Sequence, residues 1–123
     1  MRGWRQKCIE YPNIMFGRAL INSRKRASKK GLNFDIDKEF ILNLFDKQGG
    51  KCFYSGVSLN IVKEDSSTFH DPLKMTLDCI DPKLGYTRGN VVWCAYCVNA
   101  FKQKMPANQM FEICKGIIKT SCN

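Results

Sequence analysis

Between Met75 and Lys102 the chain changes its structural preference four times in quick succession, which leaves few ways to fold it. Met75 and Leu77 lead a short β-type run that Asp78 closes. Pro82, Gly85 and Gly89 then break the backbone into a tight loop. Asn90 opens a second apolar run, Val91-Val92-Trp93, and Asn99 and Lys102 follow at helical spacing. The pattern predicts a hairpin whose far end packs a helix.

Such a hairpin and helix bring Asp78 and Asn99 together across the motif. An oxygen-donor pair with open positions for water and phosphate suits Mg²⁺ or Mn²⁺, hard cations that take oxygen ligands.

The rest of the chain is bounded by charge. Residues 1–34 hold nine Lys or Arg against a lone acid, Glu10, whereas residues 35–123 hold eleven basic and ten acidic residues. Nearly all of the formal net charge of +9 therefore lies in the first quarter of the chain. A basic arm of this kind is the electrostatic footprint of a polyanion binder, although a solvated helix face or a targeting patch has the same composition. Its candidate phosphate contacts are Arg18, Arg24, Lys25, Arg26, Lys29 and Lys30, with Arg88, Lys102 and Lys104 flanking the hairpin. Hydrophobic residues make up 44% of the chain, enough for a real core. No run of about eighteen apolar residues is present to span a membrane. The first eleven residues are polar and basic without an apolar secretory stretch. Seven cysteines without framework spacing suit a reducing compartment. These features predict a soluble, intracellular, cytoplasmic protein, in the host cell if viral.

Asn13 is placed to cap a helix from about Ile14 to Lys29, with Gly31 ending it and Ile14, Gly17, Leu20 and Ile21 as its inner stripe. Asp35 or Asp37 caps a second helix, on which Phe40, Ile41, Leu44 and Phe45 repeat at helical spacing up to Gly49-Gly50. Lys51–Leu59 reads as a knuckle bent at Ser55-Gly56. Residues 60–74, with His70, are the least structured stretch. After Pro106 comes a closing helix whose core stripe is Met110, Phe111, Cys114, Ile117 and Ile118.

The run Leu77-Asp78-Cys79-Ile80-Asp81, the Lys83-Leu84-Gly85-Tyr86 turn, Gly89-Asn90-Val91 and Asn99-x-x-Lys102 together resemble the ββα-metal core of HNH endonucleases. The likeness is strongest to a subgroup from phages and other viruses that carries Leu-Asp-Arg-Ile-Asp, and it spans about Cys52 to Ile118. It implies that Asp78 and Asn99 hold the divalent ion and that Asn90 orients the loop and the base, although a turn residue satisfying its own backbone would look the same. It further implies a Mg²⁺- or Mn²⁺-dependent DNA endonuclease that nicks or cuts both strands and leaves a 5′ phosphate and a 3′ hydroxyl. A free-standing, homing-like enzyme of a phage or virus lies within that reading. A catalytically impaired scaffold that only binds nucleic acid is the alternative.

The position of the first motif histidine is held by Cys79. A thiol of ordinary pKa is a poor general base at neutral pH, so Cys79, Asp81 and His70 all stand as candidates for that proton. Asp81 equally suits a turn cap before Pro82. Structural zinc is not expected, because Cys52 is followed by Ser55 where the second cysteine would stand. In zinc-bearing proteins of the family that the chain resembles, the second cysteine directly precedes the last motif residue, which would put the ligands at Ala95 and Val98. Cys94 and Cys97 are one residue out of that frame, leaving three sulfurs without a fourth ligand. The cysteines read instead as small core residues, and the knuckle as held by Phe53, Tyr54 and Trp93.

The expectation is thus a single α+β domain over residues 1–123. Its ββα-metal hairpin-plus-helix core (50–118) would be flanked by the basic N-terminal helix (within 1–34), a scaffold helix and a C-terminal helix. Its partner would be double-stranded DNA and not a membrane, and it would act as a monomer or homodimer.

Overall fold

The computed structural model describes residues 12–61 and 71–122; His70 and the first third of the basic arm lie outside them. The architecture is α+β. Helix α1 (Pro12–Lys30) and helix α2 (Lys38–Lys47) precede strand β1 (Met75–Cys79), a 3₁₀ turn (Pro82–Leu84) and strand β2 (Val91–Ala95). Helix α3 (Tyr96–Lys102) follows β2 directly, and helix α4 (Ala107–Ser121) ends the chain. The strands form an antiparallel hairpin with Leu77 opposite Trp93 and Asp78 opposite Val92.

The core sits where α1 and α2 cover one face of the hairpin. Trp93 is its centre, edge-on to Phe16 and to Phe45 with ring centroids 5.5 Å away in both cases. Its indole Nε1 donates to the Ile41 carbonyl at 2.8 Å, which satisfies the polar end of an otherwise apolar side chain. Gln48, just past α2, completes the exposed edge of β2. Its Oε1 accepts from the Trp93 N–H at 2.9 Å and its Nε2 donates to the Trp93 carbonyl at 2.9 Å. A side-chain amide thus stands in for the strand that a two-stranded sheet lacks.

Three helical expectations need correction. Pro12 starts α1, its fixed φ suiting a first turn, so Asn13 lies inside the helix and does not cap it. Among the α1 side chains that the structure describes, residues 16–30, the buried stripe is Phe16, Ser23 and Ala27, with Leu20 packed against it and Ile21 exposed; Ile14 lies outside them. The face is rotated because the bulky Phe16 ring has to reach Trp93. In α4 only Ala107 and Met110 are buried; Phe111, Ile117 and Ile118 are 42%, 55% and 62% exposed. The helix has the periodicity of a core element, but its C-terminal half projects beyond the body it is anchored to. By contrast α2 is capped by Asp37, whose carboxylate accepts from the Phe40 N–H at 2.8 Å, and it buries Ile41 and Phe45 as expected.

Gly85 ties the hairpin loop to the α1–α2 connection. Its neighbour Tyr86 donates its N–H to Asn33 at 2.9 Å and accepts from Asp35 N–H at 3.0 Å. At φ +74° a Cβ on Gly85 would stand 2.6 Å from the Asn33 carbonyl oxygen and 2.9 Å from its nitrogen, both backbone atoms that cannot step aside. Gly85→Ala is therefore expected to lose at least about 2 kcal/mol through strain and forced displacement. Urea unfolding followed by far-UV circular dichroism measures it, and a loss under about 0.5 kcal/mol would contradict this account of the loop.

Candidate metal and nucleic-acid site

Side chains alternate along a strand, so Thr76 and Asp78 share one face of β1. With no loop residue between Ala95 and Tyr96, α3 has to fold straight back over that face. Asn99 and Lys102, three residues apart, then look the same way from the helix. The Asn99 Nδ2 donates to Thr76 Oγ1 at 3.1 Å and to the Leu77 carbonyl at 3.3 Å. One turn on, the Lys102 Nζ stands 3.1 Å from Asp78 Oδ2 and donates to the Cys79 carbonyl at 2.7 Å. Asp78 and Asn99 are thus on one face, with Asn99 over Thr76 and Lys102 over Asp78.

Lys102 is 0% exposed. The expectation that it contacts DNA phosphate is corrected on that ground: its ammonium is enclosed and spent on Asp78 and the Cys79 carbonyl. A buried ammonium without such a partner would be strongly destabilising. A second group closes on the same carboxylate oxygen, the Tyr54 hydroxyl, which donates to Asp78 Oδ2 at 2.7 Å. Burial and that hydrogen bond push the Tyr54 phenol well above its ordinary pKa. The sequence reading gave Tyr54 only a role in holding the knuckle; its position four aromatic-rich residues into Lys51–Leu59 carried no sign of the longer reach to β1.

The Asn90 side chain is hydrogen-bonded to the backbone of the loop. Its Nδ2 donates to the Asp81 carbonyl at 2.9 Å and to the Gly85 carbonyl at 2.7 Å, and its Oδ1 accepts from the Asp81 N–H at 3.0 Å. One buried amide spans the whole loop. Asp81 caps the 3₁₀ turn, its carboxylate accepting from the Lys83 N–H at 3.0 Å, so the turn-cap reading of that residue describes its contacts.

Cys79 faces away from α3 into the core and is buried. Burial first, and the Asp78 charge second, push its thiol up to about 11, against lowering contributions from Lys102, Arg26 and Lys30. A thiol held protonated has no lone thiolate to take a proton at neutral pH, so as general base Cys79 is disfavoured by its surroundings. Cys52 and Cys94 are buried as well, while Cys97 is exposed. Burial raises the Cys94 thiol to about 12. At Cys52 the burial penalty is outweighed by hydrogen bonds from the Ser55 side chain and from the backbone at Ala95, Ser55 and Tyr54, and the pKa falls. Among the described residues, no three His, Cys, Asp or Glu side chains converge on a common metal position.

The oxygens left to a divalent cation are Asp78 Oδ1, which makes no hydrogen bond or ion pair among the described residues, and the side-chain amide oxygen of Asn99, Oδ1. They fit a hard ion in kind. With the Asp78 charge already balanced by Lys102, they fall short in charge until a phosphate joins them.

Several cationic side chains have partners within the fold. Arg88 is taken up by the fold: its N–H and Nε bond to Asp35 at 2.9 and 3.2 Å, its guanidinium pairs with Asp37 at 3.3 Å and lies over the Phe40 ring. Arg26 bonds the Tyr86 hydroxyl at 2.9 Å and covers its ring, and Arg24 lies over Phe34. Arg18, Lys25, Lys29 and Lys30 stand exposed along α1 with Arg24 and Arg26. The end of α1 packs beside β1, close enough for the charges of Arg26 and Lys30 to act on Cys79.

Compared with protein-family models, with curated proteins and with solved structures, the chain finds no match.

Two expectations follow. Asn90→Ala removes three hydrogen bonds and orphans buried loop groups, so unfolding in urea should show a loss of roughly 2–4 kcal/mol; Asn90→Asp, which cannot donate to two carbonyls, should be no better. For Cys79 the folded protein favours the protonated thiol, while the unfolded thiol ionises first, near its ordinary value of 9.0. Its contribution to stability is therefore complete below about pH 9 and disappears as pH rises through about 11. The stability–pH curve of Cys79→Ala should be flatter than that of the parent across that window, and superimposable slopes would contradict the buried-thiol assignment.

Proposed function

We propose that the chain is a DNA endonuclease of the HNH type, hydrolysing phosphodiester bonds with Mg²⁺ or Mn²⁺. The observation that carries the reading is the juxtaposition of the two halves of the expected machinery. Helix α1 packs on the apolar face of the strand that bears Asp78, with Arg26 and Lys30 close enough to act on the neighbouring Cys79, and α3 sets Asn99 on the opposite, Asp78-bearing face. In this reading DNA held by α1 reaches the candidate ligands around the Cys79 end of the strand.

Within this reading Arg18, Lys25, Lys29 and Lys30 hold the DNA backbone, giving affinity with little sequence information. Asp78 Oδ1 and the Asn99 side-chain Oδ1 would hold the ion. Asn90 keeps the loop and strand ends in register, and so fixes where Asp78 stands. When bound, a divalent ion supplies Lewis-acid polarisation of the phosphate and an acidified water. Asp81 stands at the head of the loop, partly exposed, and is the available proton acceptor among the described candidates.

A second reading has its own observation. Asp78 Oδ2 is already closed off by the Tyr54 hydroxyl and the Lys102 ammonium, an arrangement that suits a structural ion pair in a protein that binds nucleic acid without cutting it.

Incubation of supercoiled plasmid with the protein and Mg²⁺ or Mn²⁺ separates the two. The nuclease reading expects nicked or linear product that falls at least about 10²-fold in Asp78→Ala and Asn99→Ala. DNA binding should survive in those variants and weaken steeply with salt, by about 10³-fold between low and moderate salt if six or so phosphates are contacted. Salt-dependent binding with no product from the parent protein would leave the second reading in its place.

A further inference from the structure

The cluster on the α3 face of β1 has a charge balance of its own. Asp78 contributes one negative charge, Lys102 one positive, and Tyr54 and Asn99 none, so the enclosed group is neutral before any ion arrives. The ammonium is not loosely associated: it is fully buried and held by both Asp78 Oδ2 at 3.1 Å and the Cys79 carbonyl at 2.7 Å. A divalent ion on Asp78 Oδ1 would lie within a few ångströms of that ammonium, where like charges repel strongly even at the effective dielectric of a protein surface.

We propose that Lys102 is the resident counter-cation of Asp78 and competes with divalent metal for it, so that the free protein takes up Mn²⁺ or Mg²⁺ poorly and substrate phosphate is needed to offset the excess positive charge. The inference rests on the reading of Asp78 and Asn99 as the ion's ligands. It gives Lys102 a function that its place in the Asn-x-x-Lys run does not disclose: it acts on the metal through Asp78, as a positioning residue.

The test is direct metal binding without DNA. Mn²⁺ is titrated into the parent, Lys102→Met, Lys102→Gln (which keeps a donor for the Cys79 carbonyl) and the paired variant Asp78→Asn with Lys102→Met. Free Mn²⁺ is read by electron paramagnetic resonance, and folding by far-UV circular dichroism. The expected result is one Mn²⁺ bound at least tenfold more tightly by the Lys102 variants than by the parent. The paired variant should return to the parental affinity. Equal affinity in parent and Lys102 variants overturns the proposal, as does tight binding that survives Asp78→Asn. Removing one partner of a buried ion pair can also unfold a small domain. A Lys102 variant that is unfolded alone and folds on addition of Mn²⁺ supports the proposal, because the metal then replaces the missing charge; one that stays unfolded at saturating Mn²⁺ overturns it. No DNA enters this measurement, so failure of the parent to cut plasmid and failure of the Lys102 competition are separately visible.

Discussion

An ammonium enclosed by protein has to be matched by an anion and by hydrogen-bond acceptors, or the domain does not fold. At Lys102 this demand is met by Asp78 and the Cys79 carbonyl, and much else is arranged around meeting it. It pins the short helix α3 to β1, it sets which face of the hairpin the helix covers, and it draws the knuckle inward through the Tyr54 hydroxyl on the same carboxylate. Tyr54 in turn lies edge-on to Phe53 and to Phe111 of α4. Three separate segments therefore meet over one carboxylate.

The opposite face of the hairpin is apolar and follows simpler rules. Trp93, Phe16 and Phe45 pack edge to face, and Leu77, Cys79 and Val91 fill the space beside them. The division is what allows a polar cluster in a small domain. One side of β1 supplies burial, and the other is free to hold charge, so a site can be assembled without opening the core. The basic helix belongs to the apolar side by its buried stripe, yet its last turn emerges beside the Cys79 end of β1. Its Arg26 and Lys30 come close enough there to act on the Cys79 thiol.

Much of this was readable from particular residues. Pro82, Gly85, Gly89 and Asn90 marked the loop, and the structure explains them by the close approach of Gly85 to Asn33 and by the three bonds of the Asn90 amide. The α2 stripe and the bend at Ser55-Gly56 were legible for the same reason: local spacing and turn chemistry settle them. The α1 and α4 faces were misjudged because periodicity states only that a helix is amphipathic. Which of several apolar residues faces inward depends on where a partner stands, and Ile21, Ile117 and Ile118 have none among the described residues that buries them. Lys102 was misjudged because a basic residue beside the hairpin looks alike in the sequence whether it is solvated or enclosed by the fold.

What the chain determined by itself was the order of its elements, the loop between the strands, the buried face of α2 and the placement of charge at one end. These depend on neighbours a few residues apart, through turn chemistry, side-chain spacing and simple charge counting. Tertiary structure alone decided that Asp78 pairs with Lys102 and Tyr54, that Asn99 stands over Thr76, and that Cys79 turns inward, where burial pushes its thiol pKa higher still. Those outcomes depend on desolvation and on distances between segments far apart in sequence, quantities that exist only once the chain has closed around them.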